Sequence, residues 1–129
     1  MSKRSRVTRK RILLTGRTRD LECSPEGRSV RTKRKLARVE VSVATRRGKQ
    51  CRFLTSKGTL GSLRSCARSV WLRTKTVSFD AKKSKTSWQL ARAVTLPRGS
   101  YSVTVRGIDR DGNVEVKKRS SNRARLRAK

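Results

Sequence analysis

Three cysteines, eight carboxylates and no histidine set the chemistry open to this 129-residue chain. Without an imidazole, Ser–His and Cys–His nucleophile activation are excluded. The carboxylates are scattered, and no apolar run surrounds one of them to tune it for general-acid work. Neither a Walker loop nor a dinucleotide-binding glycine loop occurs. These absences predict a protein that is not an enzyme, uses no cofactor and takes no small-molecule substrate. Cys23, Cys51 and Cys66 lack a C-x-x-C spacing and a histidine partner, so a structural zinc site is not expected. They permit three single disulfides, 51–66, 23–51 and 23–66, and each leaves one thiol over. The plain alternative is three reduced thiols in a cytosolic protein.

A second candidate is the run Asp109-Arg110-Asp111-Gly112-Asn113-Val114-Glu115. It offers four oxygen-bearing side chains in a short loop, as the start of a calcium loop does. It lacks the full ligand spacing and the distal bidentate glutamate, and Arg110 sits inside it. Asp109, Gly112 and Asn113 are therefore expected to build a hairpin turn, with Asn113 able to take a left-handed conformation. No metal is expected.

The elements that must position these residues are short and alternating. Ile12 to Thr18 reads as a first strand, with Gly16 marking a bend or bulge. Residues 19–35 are polar and irregular and form a surface loop. From Leu36 to Ala44, Ala37, Val39, Val41 and Val43 alternate with polar residues, which argues for a sheet with one buried face. Arg46 to Lys49 supplies a turn and Cys51 to Leu54 a return strand. Ser56 to Ser65 is a glycine-containing loop. Further strands are expected at Val70–Leu72, Val77–Phe79 and around Trp88 and Leu90. Leu96 to Gly99 forms a corner, and Tyr101, Val103 and Val105 share one face of the strand after it. Ala124, Leu126 and Ala128 alternate with arginines in a thin last strand. No window has a helical period. About seven strands with turn signals between them predict an all-β, two-sheet β-sandwich, with a small β-barrel as the alternative.

Charge dominates the composition. Thirty-seven Lys and Arg against eight acids give a formal net charge of +29, so most cations have no carboxylate to pair with. Such a surface attracts polyanions, whether nucleic acid, anionic lipid or anionic cell-wall polymer. Residues 1–11 read as a disordered basic arm and 12–128 as one domain. The start resembles the charged region of a signal peptide, but only Ile12, Leu13 and Leu14 follow, too few for its apolar region. No secretion signal and no transmembrane segment are expected within the sequence. Trp71 and Trp88 have apolar neighbours, so core positions are expected rather than base-stacking platforms. Basic residues recur along every strand, which reads as a general coating rather than a stripe.

The run Leu96-Pro97-Arg98-Gly99-Ser100-Tyr101-Ser102-Val103-Thr104-Val105-Arg106-Gly107 resembles the corner and penultimate strand of fibronectin type III and bacterial immunoglobulin-like domains. Ile108 to Glu115 looks like the turn that follows it in bacterial immunoglobulin-like repeats of exported and surface proteins. The alternation at Ala37–Val43 looks like their second strand. The stretch from Cys51-Arg52-Phe53-Leu54 through Cys66 to Trp71-Leu72-Arg73 is similar to a cysteine-bearing, arginine-rich subset. Gly107 departs from the usual alanine, and Cys23 has no counterpart.

The resemblance implies an immunoglobulin-like sandwich. Its Tyr101 would bury its ring at the corner and return its hydroxyl to nearby backbone. Together with the small core, it also implies a Cys51–Cys66 disulfide across the glycine-containing loop, and with it an oxidising compartment. The expected function is a non-catalytic structural or adhesive module of an exported or cell-surface protein. Its expected partners are neighbouring domains of a longer protein and anionic polymers. The alternative is a cytoplasmic basic protein binding RNA or DNA.

Overall fold

A computed structural model describes residues 5–19, 38–80, 85–108, 114–115 and 123–129. Among the described residues there is no helix, and two antiparallel sheets pack face to face. Eleven strands run in chain order: β1 (Arg6–Val7), β2 (Arg11–Arg19), β3 (Arg38–Arg47), β4 (Gln50–Phe53), β5 (Arg64–Ser65), β6 (Leu72–Arg73), β7 (Lys75–Asp80), β8 (Lys85–Ala93), β9 (Gly99–Ile108), β10 (Val114–Glu115) and β11 (Arg123–Ala128). Seven of these are four residues or longer, close to the number expected from the alternation.

The first sheet has the order β1-β2-β8-β7. The second has the order β10-β9-β3-β4-β5, with β11 also on β9 and β6 also on β3. Neither sheet closes on itself, so the fold is a β-sandwich and the barrel alternative is set aside.

The core follows from period-two side-chain placement. Ile12 and Leu14 of β2 and Trp88 and Leu90 of β8 point inward from the first sheet. Val39, Val41 and Val43 of β3 and Tyr101, Val103 and Val105 of β9 meet them from the second. Leu126 and Ala128 of β11 extend this layer, so the thin last strand pairs rather than trailing as a tail.

Three expectations about the strands are corrected. Part of the basic arm, residues 5–11, is ordered into the sheet. Arg6 and Val7 pair with Leu13 and Ile12, and Val7 is buried in the core. The Ser5 hydroxyl accepts from the Thr15 N–H at 3.0 Å and donates to the Thr15 carbonyl at 3.2 Å, extending that pairing. Burial of Val7, the Ser5 bonds and the Val94 and Leu96 N–H groups donating to Lys10 O and Arg9 O together hold this basic segment on the sheet edge.

Gly16 is neither bend nor bulge. It pairs regularly with Trp88, whose ring lies over its α-carbon. The irregularity of this sheet falls instead between Thr76 and Ser78 of β7. Trp71 precedes its strand rather than centring it, because β3 offers pairing only to Leu72 and Arg73 there.

Candidate polyanion-binding face

The second sheet has an outer face divided into two halves. On the β4 side the chain folds back over it. Phe53 lies opposite Ala44, and Cys51 opposite Arg46, which places both on the outer side, away from the valines of β3. Residues 55–60 run along the sandwich edge, where Gly58 and Thr59 meet Thr95 and Leu60 packs on the core, and the chain from Gly61 to Cys66 returns beside β4. The Cys51–Cys66 disulfide, with α-carbons 4.9 Å apart, staples the segment down. A backbone bond from Gly61 N–H to Phe53 O at 2.9 Å and a side-chain bond from Arg52 Nε to Gly61 O at 2.8 Å hold its middle. The turn between β3 and β4 is the two residues Gly48 and Lys49. Gly48 has a φ of 62°, which explains a glycine there.

The other half, on β9 and β11, is open. Strand pairing sets Arg125 opposite Ser102, Arg127 opposite Ser100 and Arg123 opposite Thr104. Since Leu126 and Ala128 point inward, the arginines between them point out, and Arg125 and Arg127 are exposed beside exposed Ser100 and Ser102. Alternate residues of a strand stand about 6.8 Å apart. Exposed Arg and Lys occur on most described strands, as a general coating implies, and within it this edge adds a local pattern: two exposed arginines beside two exposed serines. Only the pairing of β11 with β9 brings the two rows together, and neither strand alone reveals it.

Where the two halves meet, one carboxylate offsets part of the arginine charge. Glu40 lies directly opposite Arg106 on β9 and opposite Arg73 on β6. Its carboxylate takes Arg106 at 2.7 Å through one oxygen and Arg38 at 3.1 Å through the other. The Arg106 guanidinium also sits 4.1 Å from the centre of the Trp71 ring. One face of Trp71 is thus already occupied by a cation–π contact. Trp88 is 2% exposed in the core. The expected core position therefore holds for Trp88 and is corrected for Trp71, which is half-buried, outside the hydrophobic cluster and stacked on one face by Arg106.

Tyr101 is buried, and its hydroxyl donates to the Pro97 carbonyl four residues upstream. Burial raises the phenol above its ordinary pKa of 10.0, while Arg47 and Arg52 pull it down and only partly offset this. The corner thereby fixes the start of β9, the strand that carries the hydroxyl row. Asp109, Gly112 and Asn113 lie outside the described residues, as does Cys23. The strands on either side of 109–113, β9 and β10, are antiparallel neighbours.

Among the described residues no group of three His, Cys, Asp or Glu side chains could hold a metal ion. No helix among them is long and apolar enough to cross a membrane. No family model, curated protein or solved structure matches the chain.

Proposed function

We propose that this chain is a non-catalytic binding module of immunoglobulin-like type, belonging to an exported or cell-surface protein, that engages an anionic polymer through the open face of β9 and β11. The observation that carries this reading is the register of exposed Arg125 and Arg127 beside exposed Ser100 and Ser102. Guanidinium groups spaced along a strand meet successive anionic groups of an extended chain, and hydroxyls beside them complete the hydrogen bonding. The net charge of +29 adds long-range attraction without direction. The Cys51–Cys66 bond supports an oxidising compartment, and the Tyr101 corner supports the immunoglobulin-like assignment.

The test is a salt series of binding to a polyuronate and to single-stranded DNA, with wild type and the Arg125→Gln/Arg127→Gln variant. The variant is expected to weaken binding and to flatten the dependence of log affinity on log salt. For the DNA arm the slope falls by about 0.7 for each phosphate that is no longer neutralised. The control is Arg9→Gln/Lys10→Gln, on the turn between β1 and β2. If the two variants bind equally weakly, binding is a diffuse coating and the face has no special role. Preference for one DNA sequence at physiological salt would favour the nucleic-acid alternative instead.

A further inference from the structure

A cleft of about 400 Å³ opens beside β4, between that strand and the segment stapled over it. This lies within the range of small-molecule sites, at its lower end. Its apolar surface is half-buried Val70, with Phe53, 3% exposed, closing the floor behind it. Exposed Arg64 and Arg68 also line it, and Thr55 and Ser62 add hydroxyls. Among its lining residues there is no carboxylate, so neither guanidinium is neutralised within the cleft.

The walls are anchored from several directions. Cys51 pairs with Arg64 and Gln50 with Ser65 in the β4–β5 ladder, and Leu54 bridges to Leu60. The disulfide fixes Cys66, and the Arg68 N–H bonds to Ser65 O at 3.0 Å. A site whose walls are already held loses less entropy on binding than a loose loop would.

We infer that this cleft binds a small organic oxyanion, a carboxylate or phosphate monoester, carried on an apolar or aromatic body. The charge is met by Arg64 and Arg68 and the body rests against Val70, above the floor that Phe53 closes. The row of β11 takes successive charges of a polymer on an open surface. The cleft instead combines two charges with apolar walls, and charge alone does not fill it. The site is separate from the polymer-binding face and stands or falls independently of it.

The test is an amide-resonance titration of the full chain with phenyl phosphate and with benzoate, against inorganic phosphate and benzyl alcohol. Saturable shifts at Thr55, Gly61, Ser62 and Val70 are expected with phenyl phosphate or benzoate, and the probe that saturates identifies the oxyanion. The Arg64→Gln/Arg68→Gln variant is expected to weaken that binding at least tenfold. Its own spectrum reports whether it remains folded. Arg125→Gln/Arg127→Gln leaves the response unchanged. Three results would overturn the inference: saturation by neither probe, an equal response to inorganic phosphate, or shifts that survive in the cleft variant.

Discussion

Glu40 and Arg106 face each other across β3 and β9, and both the Nε and Nη2 groups of Arg106 donate to one oxygen of Glu40, at 2.9 and 2.7 Å. The carboxylate is nearly buried, with 11% of its side chain exposed, and Arg38 holds its second oxygen. This pair sits at the seam between the covered and open halves of the outer face. Removing one member leaves the other desolvated without its counter-charge, which is more damaging than the pair itself is stabilising. Glu40→Gln also leaves Arg38, Arg73 and Arg106 together without a neutralising group. We expect a loss of about 2–3 kcal/mol in a urea melt, below the range for a fully buried pair because Arg106 is partly exposed. Glu40→Gln combined with Arg106→Gln is expected to recover part of it. Losses of the two single variants that simply add in the double variant would mean that Arg106 does not depend on Glu40.

Tyr101 is the sole tyrosine of the chain, so phenolate absorbance reports on one group. Its pKa is raised by burial above 10.0 in the fold. The unfolded chain releases this proton at the ordinary value, whereas the native state retains it to higher pH. Above pH 10 the native state therefore binds more protons than the unfolded state, and stability falls as pH rises. Below that value the contribution is fully present. A spectrophotometric titration is expected to show a native midpoint above the one measured in urea. Tyr101→Phe is expected to cost about 1 kcal/mol at neutral pH, for the hydrogen bond to Pro97. It is also expected to lose less stability than wild type on going to alkaline pH. Lysine deprotonation acts on both proteins and cancels in the comparison. Tyr101→Ala removes the ring as well and is expected to cost about 3–5 kcal/mol. A neutral result for the alanine variant would remove the corner as a structural element.

Gly16 tests two opposed principles at one position. Glycine inside a strand is unfavourable by roughly 0.5–1 kcal/mol relative to alanine, so propensity alone makes Gly16→Ala stabilising. The geometry says otherwise. A β-carbon there would lie 2.5 Å from Cζ2 and 2.8 Å from Cε2 of Trp88, an enclosed ring with little room to move. Overpacking of this kind costs about 1–3 kcal/mol and outweighs the propensity gain. Gly16→Ala is expected to lower the denaturation midpoint. In a Trp88→Leu background the same change is expected to become neutral or stabilising, a coupling that a double-mutant cycle reads directly.

Much of the architecture is legible in the chain because it depends on local period. The alternations at Val39–Val43 and Tyr101–Val105 place their faces correctly, and both sets meet in the core. The corner is legible for the same reason: Pro97, Gly99 and Tyr101 act within a few residues of one another. What the sequence conceals is long-range register. Nothing local indicates that Arg125 and Arg127 align with Ser102 and Ser100, or that Arg106 meets both Glu40 and Trp71. Gly16 is misread for a similar cause, since the ring that requires it belongs to Trp88, many residues away. The cleft at Phe53 depends on β4 turning that side chain to the outer face, a reversal set by pairing with β3 rather than by composition.

The Cys51–Cys66 bond gives a last prediction, with both a global and a local part. The cysteines are 15 residues apart, and closing a loop of that size restricts the unfolded chain by about 3 kcal/mol in the entropic model. Cys51→Ala/Cys66→Ala is therefore expected to lose a stability of that order in a denaturant melt. The local effect is expected to be larger than the global one suggests. Phe53 and Cys51 are buried outside the main hydrophobic cluster, and past Leu60, which packs on that cluster, residues 61–68 are held by the bond, the Arg52 side chain and a few backbone hydrogen bonds, whereas the sandwich has its own core. Limited trypsin digestion of the double-alanine variant is expected to cut first at exposed Lys57, Arg64 or Arg68, with the two sheets still assembled. In wild type these sites are expected to resist until the whole domain opens. The bond itself is checked by counting thiols in the unfolded protein: one without reductant and three with it. If all three react without reductant, the bond is not formed in the isolated protein, and the proposed exported setting loses its main structural support.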